Sequence, residues 1–506
     1  MKLGFQVLPG ACACRRLFLG AILAMGHFGS APGQDAPSKT ATAGACYRVE
    51  TIVLPEGVDN EVGGIAFLDD GRLAWCNRSG EVWIGDPLRA QWKRFASGLH
   101  CPLGILAGER AGEIVVSDRP SLTRLVDVDG DEVADEYLAI SEDWGLSGNY
   151  HEYTYGPVRD AEGNFVIGLG CASDGAGIFK ITRGPVSEWG RQGRMYSPVP
   201  WRGWCLKVTP PGKVIPWALG LREPNGFCFD GDGELFATDN QGDWVGTSAL
   251  HHIRQGAFHG HVASLVWEKG NQEDPLKIPV ERLESMRMRP AVLFPHGKAA
   301  YSPTQPVLVA KASFGPFAGQ LLVGCISLER ILRVALEKIG DTYQGAVLYL
   351  LDGNGLNRGN NRLAFAPDGS LYVGQTSRGW GNGAGIQRVV FTGETPFEIQ
   401  RMSLTAEGFE LHFTTPVAAE PAAEPSRYSL QRYHYRYHRP YGSPEIDPEP
   451  VPVLEAQVSA DGRAVSLVLP EVLAQKVYEL HLQGIVSQDG RPLGNRAAYY
   501  TVNRLR

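Results

Sequence analysis

The polar segments most able to do chemistry lie beside Gly or Pro turns. In Asn149-Tyr-His151-Glu-Tyr-Thr-Tyr-Gly-Pro157 a histidine sits among three tyrosines. With a pKa near neutrality, His151 could take a proton from a substrate hydroxyl. A hydrogen-bonded structural histidine is the other reading. In Gly220-Leu-Arg222-Glu-Pro-Asn225-Gly226 the proline fixes the turn after Arg222, as rigid recognition of an anion requires. Thr238-Asp239-Asn240-Gln241-Gly-Asp243-Trp244 is dense in side-chain oxygens, able to coordinate Ca²⁺ or to hydrogen-bond sugar hydroxyls. Arg378, in Gln375-Thr-Ser-Arg378-Gly-Trp380, is placed to hold an anionic planar group beside an indole.

Two further clusters suggest metals. Asp127-Val-Asp129-Gly-Asp131-Glu-Val-Ala-Asp135 carries carboxylates at positions one, three, five and nine of a calcium-type loop. It lacks the loop glycine at position six and the closing Glu, so a structural Ca²⁺ site and a solvated acidic turn both remain open. His251-His252 and His259-Gly-His261 lie close in sequence, but no Cys or carboxylate completes a tetrahedral zinc set at close spacing.

Such loops need a scaffold, and the chain repeats one. An apolar triplet, an Asp/Glu-Gly turn and a second apolar run recur at Gly64–Trp75, Gly156–Gly168, Gly226–Thr238 and Leu363–Gly374. Asp-Gly between alternating apolar runs is a hairpin signal. Weaker copies fall at Gly104–Ser117 and Phe317–Gly324. The spacing suits the roughly 40–50 residues of a four-stranded propeller blade. The expected fold is therefore all-β, a six-bladed β-propeller over residues 45–395. Loops from distant segments then meet at one end of its channel.

Beyond Phe397 the texture changes. Short alternating strands, punctuated by Asp461-Gly462 and Asp489-Gly490, predict a small immunoglobulin-like β-sandwich over 396–506. Tyr433, Tyr435 and Tyr437 alternate with basic residues, giving one aromatic face that stacks on sugars or packs on a neighbouring domain.

Arg15-Arg16, the apolar run Leu17–Met25 and the small residues after it read as a signal peptide over 1–34, predicting export to the periplasm or the extracellular space. No stretch is long and apolar enough to span a bilayer. The formal charge of −7 argues against nucleic acid as a partner. Seven cysteines remain beyond Cys12 and Cys14. Their number is odd and their spacing wide, so no disulfide framework is implied.

In order along the chain, the Asp127–Asp135 loop, His151 ahead of Gly156-Pro157, Arg222-x-Pro-x-Gly226 with Asp239-Asn-Gln-Gly-Asp243, and Arg378-Gly-Trp resemble the soluble glucose/sorbosone dehydrogenase superfamily. The texture is closest to its quinoprotein-like "membrane-bound dehydrogenase" branch. The resemblance covers about residues 50–395. It implies the cofactor pyrroloquinoline quinone (PQQ), a sugar or polyol substrate, Ca²⁺ and an external electron acceptor. It also implies His151 as base, Arg222 near the quinone, and Arg378, Lys298, Asn225 and Gln241 as cofactor-binding residues. The metal residues would be Asp127, Asp129, Asp131, Asp135 and Asp239. The superfamily usually reads Arg-Asn-Pro where this chain has Arg222-Glu223-Pro224. Two other classes stay open. Asn225, Asp239 and Glu61 also look like the metal ligands of gluconolactonase-type hydrolases, and a non-catalytic propeller could bind glycans or proteins.

Overall fold

The computed structural model describes residues 46–174, 182–379 and 381–506. The expected signal peptide and Trp380 lie outside the described residues. The chain is built almost wholly of antiparallel strands. Each predicted hairpin supplies strands at the start of a sheet, because its Asp/Glu-Gly turn takes a positive φ that glycine adopts without strain, as at Gly71, Gly163, Gly233 and Gly369.

Sheet I orders Val62–Phe67, Leu73–Asn77, Val82–Asp86 and Gln91–Ala96. Sheet II follows with Gly104–Ala107, Glu113–Ser117, Leu122–Val126 and Glu136–Ser141. Sheet III has Thr154–Arg159, Phe165–Leu169, Trp204–Val208 and Val214–Leu219, and sheet IV Gly226–Phe229, Leu235–Asp239, Ser248–His252 and Val292–Phe294. Sheet V begins with Pro303–Leu308, Leu321–Cys325, Arg330–Ile339 and Thr342–Asp352. Sheet VI takes Asn360–Phe365, Leu371–Gln375 and Gly385–Phe391, and its fourth strand is Tyr47–Ile52 from the start of the described chain. That strand pairs antiparallel from Tyr47↔Phe391 to Ile52↔Ile386, tying the two ends together.

The first strand of each sheet touches the first strand of the next, and that of sheet VI touches that of sheet I. All six line a cavity of about 470 Å³. Arg362 crosses it, fully buried. Its guanidinium donates to the carbonyls of Gly63 and Leu103 and to Asn225 Oδ1 (2.8 Å each). These acceptors satisfy a cation that burial otherwise disfavours, and burial pulls its pKa down to about 10.

After residue 397 two sheets face each other. One orders Ile399–Leu404, Gly408–Phe413, Ala464–Val468 and Glu455–Val458. The other is Ala497–Val502, Lys476–Leu482, Tyr428–His434 and Ile446–Pro450, joined edge to edge with sheet V through Gly345↔Thr501 to Val347↔Tyr499. Their core packs Phe409, Leu411, Val465 and Leu467 against Leu430, Tyr478, Leu480 and Tyr500. Buried Arg333 stitches this unit to sheet V, donating to Gln320 Oε1 (2.9 Å) and to the Ile399 carbonyl (2.8 Å). The aromatic face packs inward: Tyr437 lies 5.4 Å from Trp244 and donates to the Gly260 carbonyl (2.6 Å). All seven described cysteines are free thiols, six of them buried. No described helix is long and apolar enough to cross a membrane.

Candidate functional site

Antiparallel order divides the loops between two faces. Segments joining the second strand to the third, and the last strand of one sheet to the first of the next, emerge on one face. The Asp/Glu-Gly turns and the third-to-fourth-strand loops emerge on the other. His151 precedes the first strand of sheet III, and Arg222 and Glu223 precede that of sheet IV. Arg78, Arg119 and Arg378 each follow the second strand of sheets I, II and VI. All six therefore share a face, although up to 300 residues separate them in sequence.

His151 is the centre of this cluster. Its backbone N–H is held by Asn149 Oδ1 (3.0 Å). Its Nδ1 lies 3.2 Å from the Cys171 carbonyl oxygen and 2.8 Å from Glu223 Oε2. The hydrogen-bond direction favours the carbonyl. The carboxylate oxygen has no other partner and is held by charge. Both neighbours are acceptors, so Nδ1 carries the proton and Nε2 is the ring's free acceptor. Burial works against an imidazolium here, but the negative charge of Glu223 outweighs it, and the His151 pKa is raised from 6.5. The side chain keeps 22% of its surface exposed.

The other oxygen of Glu223, Oε1, accepts a hydrogen bond from the Tyr155 hydroxyl. Its departure from the Arg-Asn-Pro pattern thus supplies a carboxylate that orients the imidazole instead of facing the opening. The turn is set by Asp239, whose carboxylate accepts the backbone N–H groups of Arg222 (2.8 Å), Glu223 (2.6 Å) and Asn240 (2.9 Å). Burial pushes the Asp239 carboxyl up to about 6, against the pull of those amides. Arg222 Nε donates to Asp243 Oδ1 (3.1 Å), while Asp243 Oδ2 faces His261 Nε2 (3.4 Å). Burial would raise the Asp243 pKa, but His261 and Arg222 hold it far below the ordinary carboxylate range.

Tyr153, 5.8 Å ring to ring from His151, carries three guanidiniums: Arg119 at 4.9 Å, Arg378 at 5.4 Å and Arg78 at 5.8 Å from its centroid. Arg78 also pairs with Glu61 (3.4 Å), and Arg119 donates to the Tyr150 carbonyl (2.7 Å). Yet the Nε of Arg78, the Nε of Arg119 and the Tyr153 hydroxyl are buried without a hydrogen-bond partner. Unsatisfied buried donors grouped on one cationic wall suit an acidic, hydrogen-bond-accepting ligand. From the C-terminal unit, Tyr441 bridges to Asp243 and lays its ring beside Arg194 (4.5 Å) and Arg222 (5.6 Å).

Other predicted residues go elsewhere. Asn225 holds Arg362 (2.8 Å), so its amide oxygen serves the channel plug and not a cofactor. Gln241 bonds the Gly246 carbonyl (3.1 Å) and packs beneath Gly442. Lys298 is drawn to the C-terminal unit by Glu445 (2.8 Å) and Glu479 (2.7 Å), which consume its charge. Of the proposed metal residues, Asp127, Asp129 and Asp135 come together with ligand oxygens within 4.8 Å of one another. They do so between the third and fourth strands of sheet II, on the face opposite His151. Asp131 turns away to cap the Val133 N–H (2.8 Å), and Asp239 is saturated by backbone amides. Glu61, Asn225 and Asp239 do not assemble a metal site: Glu61 is engaged by Arg78 and the Ser377 hydroxyl. Sequence alone pointed to Tyr153 only as aromatic company for His151, and did not single out Arg78, Arg119 or the orienting role of Glu223.

No family model matches the sequence. No curated protein matches it either. Solved structures do resemble it. A provisionally assigned oxidoreductase (glucose dehydrogenase) from Thermus thermophilus is 20% identical, covering 68% of this chain and 100% of that one, with a TM-score of 0.47. The PQQ-bound aldose sugar dehydrogenase of Streptomyces coelicolor is 17% identical over 68% of this chain and 98% of its own, at 0.45. A luciferin-regenerating enzyme is 13% identical over 69% and 97%, at 0.44.

Proposed function

We propose that the chain is an exported six-bladed propeller with an immunoglobulin-like C-terminal sandwich that oxidises a sugar or polyol with PQQ. The observation that carries the reading is His151, its Nδ1 held between the Cys171 carbonyl and Glu223, beside three guanidiniums of which two, Arg78 and Arg119, leave Nε unsatisfied. The donor set fits a planar tricarboxylate: Arg78, Arg119 and Arg378 would hold its carboxylates, and Tyr153 its rim. When bound, PQQ supplies a two-electron acceptor for the substrate's hydride. The protein's part is to place the substrate hydroxyl at His151 Nε2 and to receive its proton there. Glu223 then stabilises the imidazolium, and Tyr155 fixes Glu223 in turn. The electrons leave to an external acceptor.

Reconstitution tests this directly. Stoichiometric PQQ should co-elute with the protein, and aldoses should then reduce a dye. A protein that binds no quinone, or binds it without turning over any aldose or polyol, would overturn the reading. A chelator-sensitive lactonase activity would replace it with hydrolysis.

For Ca²⁺ we propose a structural role at Asp127, Asp129 and Asp135, remote from the chemistry. Three clustered carboxylates repel without a cation. Millimolar Ca²⁺ should raise the thermal midpoint by about 1–2 °C at the affinities usual for extracellular sites. The D127N/D135N double variant should lose that shift and keep its turnover. No Ca²⁺-dependent shift in the parent protein would remove the site.

A further inference from the structure

A second cavity, of about 380 Å³, lies between sheet IV and the C-terminal unit, away from His151. His251 and His259 both line it, their rings 5.0 Å apart. Both residues are almost wholly inaccessible. Nδ1 of His251 and both ring nitrogens of His259 have no hydrogen-bond partner. Leaving three such atoms bare is costly, and both imidazoles belong to residues in the wall of a cavity that a ligand would fill. We propose that this cavity is a second, non-catalytic carbohydrate site that takes one neutral sugar.

Three observations select that chemistry. Neutral imidazole offers one donor and one acceptor, which complements a hydroxyl. Burial and the Arg287 charge hold the His251 pKa down at about 3, and burial with the neighbouring histidines holds His259 well below 6.5, so both rings stay neutral. A metal cation is disfavoured. The carboxylate of Glu284 is taken by Arg287 and Arg289, and among the described residues no third ligand joins the two histidines. The remaining walls include Trp244, Tyr435 and Tyr437, whose rings suit the C–H faces of a pyranose. The volume falls within the about 300–1,000 Å³ of small-molecule pockets, which favour domain junctions.

This site does not depend on the PQQ reading, and the test keeps the two apart. Methyl glycosides of glucose, galactose, mannose and N-acetylglucosamine have no free anomeric hydroxyl. They would be added to the full chain, without PQQ, at about 50 mM, above the millimolar range of weak sites. Imidazole resonances of ¹⁵N-histidine-labelled protein would be followed, with His251 and His259 assigned from H251Q and H259Q. At least one glycoside should shift both resonances in the parent protein and in H151A, and H259L should weaken that glycoside's binding at least tenfold. If H259L does not fold, the shifts in the parent protein still decide. Unmoved His251 and His259 resonances, or shifts that vanish in H151A, would overturn the proposal and leave a water-filled cavity.

Discussion

Replacing His151 with alanine is expected to lower dye-linked turnover of the reconstituted protein by about 10²- to 10⁴-fold, the usual contribution of a general base. PQQ should still bind, because the three guanidiniums around Tyr153 are untouched. The fold should persist at a cost. Glu223 Oε2 loses the imidazole that faces it at 2.8 Å, leaving a buried carboxylate less well compensated, at about 1–3 kcal/mol. The stability difference should depend on pH. The folded-state pKa of His151 is raised above 6.5, so its pairing stabilises the parent fully below that value and is lost as pH rises through the folded pKa. The stability gap between parent and H151A should therefore be widest in acid and shrink above neutrality. Turnover runs the opposite way, since only the neutral ring accepts a proton. Undiminished turnover in H151A would take His151 out of the mechanism, whatever the stability data show.

The hairpins were readable because two local rules agree: alternating apolar residues, and a glycine where the turn needs positive φ. Both are short-range, and so both appear in the sequence. His151, Arg222 and Arg378 drew notice for a related reason, each standing near a Gly or Pro turn. Arg78 and Arg119 also adjoin a Gly or a Pro, Gly80 and Pro120, but local sequence does not show that their turns meet His151 and Arg378 on one rim. A signal did exist. Arg78, Arg119 and Arg378 each follow the second strand of a sheet within three residues. Superimposing the repeats would have put three cations on one rim. Lys298, Asn225 and Gln241 misled because local sequence does not reveal the C-terminal unit that captures Lys298 and crowds Gln241, nor Arg362, which comes 137 positions after Asn225 to occupy it. The acidic loop was legible as a cluster, but its face was not. That depends on which pair of strands it joins.

Glu223→Gln separates orientation from charge. Glutamine can still meet the Tyr155 hydroxyl and the His151 ring, so the geometry should survive. In the serine-protease triad, the worked example for this arrangement, the corresponding carboxylate-to-amide change costs about 10⁴-fold because the imidazole adopts the wrong tautomer. Here the Cys171 carbonyl also accepts from Nδ1, 3.2 Å away, and keeps the proton on that nitrogen. The expected loss is therefore smaller, about 10- to 100-fold in kcat, and reflects only the missing charge opposite the imidazolium. The pH profile gives the second readout. Burial alone would lower the His151 pKa, and it is Glu223 that raises it. Without that charge the rising limb should move to lower pH while its plateau falls. A purely structural role for Glu223 would lower the plateau and leave the inflection in place, and that outcome would refute the pairing. Quinone affinity bears on the same residue. A free carboxylate at position 223 would repel a tricarboxylate, and its removal would tighten binding markedly. A carboxylate already engaged by Tyr155 and His151 is partly neutralised, so the affinity of E223Q for PQQ should change by less than about tenfold.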